Sequence, residues 1–110
     1  MGGLALLALA GCASPAGMRL DVAATAVSPS EYGFTPQRLE APANTAVSLR
    51  FSNPTTVAHI IVVLEPIDAS SGRIIDPGGT DQLDFTTPGA GSYQFVCTVH
   101  PEMTGVLEID

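Results

Sequence analysis

The sequence contains no lysine and no tryptophan, and its only positively charged residues are four arginines among 110 residues. Eleven acidic residues give the chain a formal net charge of -7. Binding of nucleic acid requires a basic surface that neutralises phosphates, so the composition argues against a nucleic-acid partner. An acidic domain is better suited to a basic protein partner, with charge acting on encounter rate and orientation.

Long hydrophobic runs are also absent, and the apolar stretch at residues 4–12 reads LALLALAGC. It is shorter than the about 20 residues that a membrane-spanning helix needs, so it is typical of a cleaved signal segment. Its end resembles the lipobox of bacterial lipoprotein signal peptides. That resemblance implies a signal peptide at residues 1–11 and a lipid-anchored Cys12, followed by a small-residue tether at 12–17. The protein would then be extracytoplasmic, periplasmic or at the cell surface, and attached to a membrane.

One feature departs from a secretory signal, because the first basic residue is Arg19 and no positively charged segment precedes the apolar run. An ordinary apolar N-terminal strand or a signal without lipidation therefore remains an alternative for this stretch. The contexts of Cys12 and Cys97 differ, so we expect separate fates for the two cysteines and no disulfide between them.

In residues 18–110, apolar and polar residues alternate over short runs, as is typical of β-strands, and the apolar residues do not recur with the period of a helix. Val47, Leu49 and Phe51 alternate with polar residues, which predicts a strand with one buried face. Similar runs recur with Pro- and Gly-rich turns between them, so the sequence predicts an all-β domain of about seven to eight strands. We expect a Greek-key antiparallel sandwich or barrel.

Two stretches carry more specific expectations. Residues 59–64 form a continuous apolar, largely β-branched run, which predicts a central strand that starts at His59 and is covered on both faces. Residues 65–79 are rich in Pro, Gly and Asp, which favours a loop or a short helix.

Three side chains that bind soft or borderline metals lie within residues 97–103, namely Cys97, His100 and Met103. Thiolate, imidazole and thioether donors suit a copper ion better than magnesium or calcium. A three-coordinate plane of such a site needs a second imidazole, and His59 is the other histidine of the chain. Each residue alone is more often a core or rim residue, so the inference depends on their combination.

The spacing Cys-x-x-His-x-x-Met resembles the copper-binding loop of the cupredoxins, the small blue copper proteins. It is most similar to the short-loop amicyanin and plastocyanin type, and residues 53–59, NPTTVAH, resemble the segment that carries the first ligand in that family. The resemblance implies one copper ion per chain, with His59, Cys97 and His100 in a trigonal plane and Met103 as the long axial contact.

The resemblance also implies a function, which is one-electron transfer by a monomer and not an enzymatic activity. Expected partners are redox proteins such as c-type cytochromes or membrane oxidoreductases. A copper-binding lipoprotein that stores or delivers the ion is the alternative. A multicopper enzyme needs more histidines than the two present.

Two details around the site follow from the same resemblance. The family commonly has Asn after the first histidine, where its side chain links the two ligand segments, but this chain has Ile60. We therefore expect a looser loop or a substitute hydrogen bond from Asn53 or Thr98. An apolar ring around His100 is expected to contain Pro36, Val57, Ala58 and Pro101.

Overall fold

The structure, a computed structural model, describes residues 17–110 and contains no helix within that range. The predicted signal segment and Cys12 lie outside the described residues. The strands are β1 (Met18–Ser28), β2 (Glu31–Thr35), β3 (Arg38–Ala41), β4 (Ala46–Ser52), β5 (Val62–Val63), β6 (Ala69–Ser70), β7 (Thr80–Thr86), β8 (Gly91–Val96) and β9 (Thr104–Ile109). No segment of residues 17–110 is a helix of the length and apolarity that would cross a membrane.

The strands form two sheets with the orders β2-β1-β4-β7 and β3-β9-β8-β5-β6. The expected all-β sandwich is confirmed. Antiparallel pairing holds for five of the seven strand pairs of residues 17–110, whereas β1 with β4 and β3 with β9 are parallel. Both parallel pairs join strands that are distant in sequence, so a tight hairpin does not connect them.

The core lies between the two sheets. Val47, Leu49 and Phe51 are buried on the inner face of β4, as their alternation predicts. The Phe34 ring bridges the layers, with its centroid 6.1 Å from that of Phe51 and 4.9 Å from that of Phe95. Each such buried side chain contributes about 1.5–3 kcal/mol to folding. The framework under both halves of the candidate site is therefore one continuous core.

The prediction of a doubly covered strand at residues 59–64 is wrong, because regular pairing is confined to β5. His59 instead forms a single bridge with Ile75, in which each N–H donates to the other's carbonyl. Ile61 and Val63 are buried while Leu64 is 37% exposed, so one face of the run is covered. Residues 65–79 form the expected loop, which includes β6 and no helix.

The two ends of the sandwich differ in what they carry. β1 begins at one end, where Met18 pairs with Val47 near the start of β4. At the other end β4 and β8 finish, β9 begins, and Ser52 pairs with Thr80. The segments 53–59 and 97–103 both lie at this second end. The sandwich thus brings together two segments that are about 40 residues apart in the chain.

Candidate metal centre

The donor loop (residues 97–103) connects β8 to β9. It lies between Val96, the last residue of β8, and Thr104, the first residue of β9, and these two residues pair with each other. Three main-chain hydrogen bonds fold it: the N–H of Cys97 donates to the carbonyl of Met103 at 3.1 Å, that of His100 to Cys97 at 3.3 Å, and that of Met103 to His100 at 2.8 Å. The three predicted donor residues are therefore also the residues whose main-chain groups close the loop.

His59 reaches the same place from the upstream segment (residues 53–59). Its main chain is fixed by the bridge to Ile75, and its side chain is fully buried. His59 Nδ1 lies 3.9 Å from Cys97 Sγ, and His100 Nδ1 lies 3.7 Å from the same sulfur. The three donor atoms all lie within 4.8 Å of one another. Sequence reasoning placed these residues together, and the structure does so.

This spacing suits a single ion. Bonds from a first-row metal to nitrogen and sulfur are about 2.0–2.3 Å, so three donors in a plane around it lie roughly 3.5–4 Å apart. The observed sulfur-to-nitrogen distances of 3.7 and 3.9 Å fall in that range. Met103 ends the donor loop and is fully buried. The soft donor set fits one copper ion per chain.

The orientation of the His59 ring is set by Thr55, which sequence reasoning did not identify. His59 Nε2 lies 2.9 Å from Thr55 Oγ1, and that hydroxyl lies 2.7 Å from Asn53 Oδ1. With Nε2–H donating to Thr55, the lone pair of Nδ1 points toward Cys97. A histidine that binds a metal generally donates its other N–H in this way. The signal available in the sequence was a hydroxyl residue four positions before His59.

Asn53 holds the upstream segment from within. Its fully buried side-chain amide donates to the carbonyls of Val57 and Ile75, at 2.8 and 2.9 Å. Its Oδ1 accepts from the N–H of Thr55 at 3.0 Å. Within the described part of the chain none of its hydrogen bonds reaches the donor loop. The expectation that Asn53 substitutes for the missing link to that loop is therefore wrong. Its amide bonds instead to the upstream segment and to Ile75, which lies in the loop of residues 71–79 that follows β6 (the 71–79 loop).

Tyr32, at the start of β2, packs against both histidines. Its ring centroid lies 5.0 Å from that of His59 and 5.1 Å from that of His100, and the two imidazoles are 4.7 Å apart. The N–H of Tyr32 also donates to Glu102 Oε2 at 3.2 Å. Nothing in the spacing of the sequence indicated this contact, because β2 is far from both donor segments along the chain.

Two pKa values are displaced at the site. Burial lowers the pKa of His59, the positive charge of His100 lowers it further, and Glu102 opposes them. The carboxylate of Glu102 accepts hydrogen bonds from the N–H of Glu102 itself and from that of Tyr32, and these lower its pKa. Desolvation raises the pKa of Glu102 by a smaller amount. A neutral His59 keeps the Nδ1 lone pair that a metal requires.

His100 is the donor residue nearest to solvent, since it is half-buried while Cys97 and His59 are 1% and 0% exposed. Of the residues expected around it, Val57 and Ala58 are half-buried, and Pro36 and Pro101 are exposed. Val99, next to His100, is 47% exposed and was not anticipated.

The chain matches the family model described as the cupredoxin-like domain over residues 3–109. Among solved structures it is similar to auracyanin A, a blue copper protein from Chloroflexus aurantiacus, with a TM-score of 0.70 and 20% identity over 84% of this chain and 98% of that one. It is also similar to auracyanin from Roseiflexus castenholzii, with a TM-score of 0.67 and 20% identity over 84% of this chain and 96% of that one. An oxidised amicyanin variant gives 0.62 and 16%, over 84% and 82%. No match was found among curated protein sequences.

Proposed function

The chain belongs to the cupredoxin-like domain family, and from this premise we propose that it carries single electrons with one copper ion per molecule. The observation that carries the proposal is the convergence of one donor atom each from His59, Cys97 and His100 within 4.8 Å of one another. The copper ion, when bound, supplies a cuprous–cupric couple. The protein's residues hold the donors in place, limit access of water and leave one edge open to a partner.

In this proposal His59, Cys97, His100 and Met103 would hold the copper ion. The soft sulfur donors and the two imidazoles favour copper over hard cations. The buried donors His59 and Cys97 are fixed by contacts that need no metal, namely the bridge of His59 to Ile75 and the bond from Cys97 N–H to the carbonyl of Met103. Little therefore has to move between the two oxidation states, which favours rapid electron transfer.

His100 serves as the exit for the electron, because it is the donor residue at the surface. The partners we propose are redox proteins such as c-type cytochromes or membrane oxidoreductases. Exposed Val99 and Pro101 beside His100 provide an apolar contact for brief docking. The net charge of -7 favours a partner with a basic surface.

We further propose that the domain is lipid-anchored through Cys12 outside the cytoplasm. Support comes from the apolar run before Cys12. β1 begins at the end of the sandwich opposite the donor residues, so an anchor attached there leaves His100 facing away from the membrane.

The test is addition of cupric ion to the purified metal-free protein. We expect an intense visible absorption from charge transfer between the Cys97 thiolate and the cupric ion, and its loss in Cys97→Ser. Ser71→Ala, a buried residue outside the donor set, is a control that should keep the colour. A protein that binds only cuprous ion and stays colourless would instead support storage or delivery. Mass spectrometry of the membrane fraction tests the lipid on Cys12.

A further inference from the structure

The rings of Tyr32, His59 and His100 form a closed triangle, with centroid distances of 5.0, 5.1 and 4.7 Å. The planes of each pair are inclined at 55–61°. Aromatic rings favour such tilted and edge-on contacts over parallel face-to-face stacking. Rotation of either imidazole would therefore disturb its contact with Tyr32.

The two histidines differ in how else they are held. His59 has Thr55 as a hydrogen-bond partner at Nε2. In residues 17–110, the ring of His100 has Cys97 Sγ as its only hydrogen-bond partner, through the nitrogen that faces the donors. Within the described part of the chain, no hydrogen bond at Nε2 fixes the rotation of His100. Packing against Tyr32 and His59 must then supply that restraint.

A second contact ties Tyr32 to the same loop. Its N–H donates to Glu102, two residues after His100. Tyr32 is itself fixed in the other sheet, where it pairs with Ala26 of β1. Through Tyr32 and Glu102 the β1–β2 hairpin therefore supports the donor loop from the opposite layer of the sandwich.

From this geometry we infer that Tyr32 is a positioning residue that sets the ring orientation of His100, with Glu102 securing the contact. Tyr32 would orient His100 as Thr55 orients His59, but through contact with an aromatic ring and not through a hydrogen bond to Nε2. The inference rests on the proposed function only in that the positioned ring is a copper donor. The arrangement itself belongs to the metal-free protein.

The first experiment measures ring positions without copper. In the wild-type protein, NMR should show cross-peaks from Tyr32 ring protons to both imidazoles and one conformation of His100. Tyr32→Phe keeps the ring and should keep one His100 conformation. Tyr32→Leu should give averaged or multiple His100 signals. If the leucine variant does not fold, Tyr32→Met, which also lacks an aromatic ring, is measured in its place with the same expectation. A single unchanged His100 conformation in the variant without an aromatic ring would overturn the inference.

The second experiment measures release of copper to a chelator. Loss of the aromatic contacts in Tyr32→Leu should speed release on the order of tenfold, with a changed visible spectrum, while Tyr32→Phe stays within about twofold. Tyr93→Leu is the matched control, since Tyr93 bonds to Gly89 and is not among the rings around the histidines. Equal release from Tyr32→Leu and wild type would contradict the inference.

Glu102 is tested with a control of equal charge. Glu102→Ala removes the acceptor of the Tyr32 N–H and should speed copper release about threefold, the size expected for one exposed hydrogen bond. Glu65→Ala changes the charge equally at a side chain without a hydrogen bond in residues 17–110, and should have no effect. Equal rates in both variants would remove Glu102 from the inference. If the wild-type protein bound copper without a charge-transfer band, the proposed function would fail while the NMR result still decided the role of Tyr32.

Discussion

The two segments that bring donors to the site are held by different means. The donor loop is closed by its own main-chain hydrogen bonds between β8 and β9, which pair along six residues each. The upstream segment has main-chain hydrogen bonds at its two ends, where Asn53 bonds to Gly78 and Gly79 and His59 bonds to Ile75. Between these ends it depends on the side chains of Asn53 and Thr55. Substitutions that leave the donors intact should therefore affect the upstream segment far more than the donor loop.

This difference also shows where each segment obtains its rigidity. Main-chain bonds survive most side-chain changes, so the donor loop relies on the strands that flank it. The upstream segment relies on groups that only particular residues supply, since an amide alone provides both the donors and the acceptor that Asn53 uses. The predictions below test that distinction from both sides.

The largest effect is expected from Asn53→Ala. The change removes the amide donors from the carbonyls of half-buried Val57 and buried Ile75, and should lower the free energy of unfolding by about 3 kcal/mol. Urea unfolding of the metal-free protein measures it. Asn53→Asp keeps an acceptor for Thr55 but cannot donate, so it should lose at least as much. A loss below about 1 kcal/mol in both variants would show that the segment is held in another way.

Gly105→Ala tests the strands on which the donor loop relies. A Cβ at this position would lie 2.3 Å from the Phe95 ring, in the centre of the core. Overpacking of this kind should cost about 2 kcal/mol and shift the start of β9. Thermal unfolding measures the loss.

Gly89→Ala provides the control for that change, because a Cβ there meets no atom within 4 Å. It should alter stability by less than about 0.5 kcal/mol. Equal stabilities of the two glycine variants would mean that the Phe95 ring moves aside freely.

Thr55→Val removes the hydroxyl that orients His59 and keeps the volume of the side chain. Loss of such a partner lowers metal affinity about 10–100-fold, so competition with a copper chelator should detect weaker binding. Thr55→Ser retains a hydroxyl and should recover most of the affinity. If valine and serine bound copper equally well, Thr55 would have no role in orienting the ring.

The same contrast explains what the sequence could reveal. Cys97 and His100 are three residues apart, so the sequence and its resemblance to the cupredoxin loop predicted that they lie together. The sequence also predicted the strand that contains Val47, Leu49 and Phe51, because alternation of apolar and polar residues indicates a strand with one buried face.

The resemblance to the cupredoxins predicted that His59 joins the donor loop, but the other contacts between distant segments had no signal in the sequence. The run after His59 looked like a central strand, but pairing depends on the neighbouring chain, and the partner of His59 is Ile75 of the 71–79 loop. Tyr32 meets the histidines through the packing of two sheets, which no local pattern encodes. The role expected of Asn53 failed because its amide had partners nearer in the fold.

The smallest effect is expected from Thr98→Ala, within the donor loop itself. Thr98 is exposed, and its side chain makes no hydrogen bond within residues 17–110. Stability should change by less than about 0.5 kcal/mol, and the visible spectrum of the copper form should be unchanged. The position lies next to Cys97, so its tolerance would be the sharpest contrast with Thr55, which is four residues from a donor. A loss comparable to that of Thr55→Val would mean that the donor loop also depends on its side chains, and the distinction between the two segments would not hold.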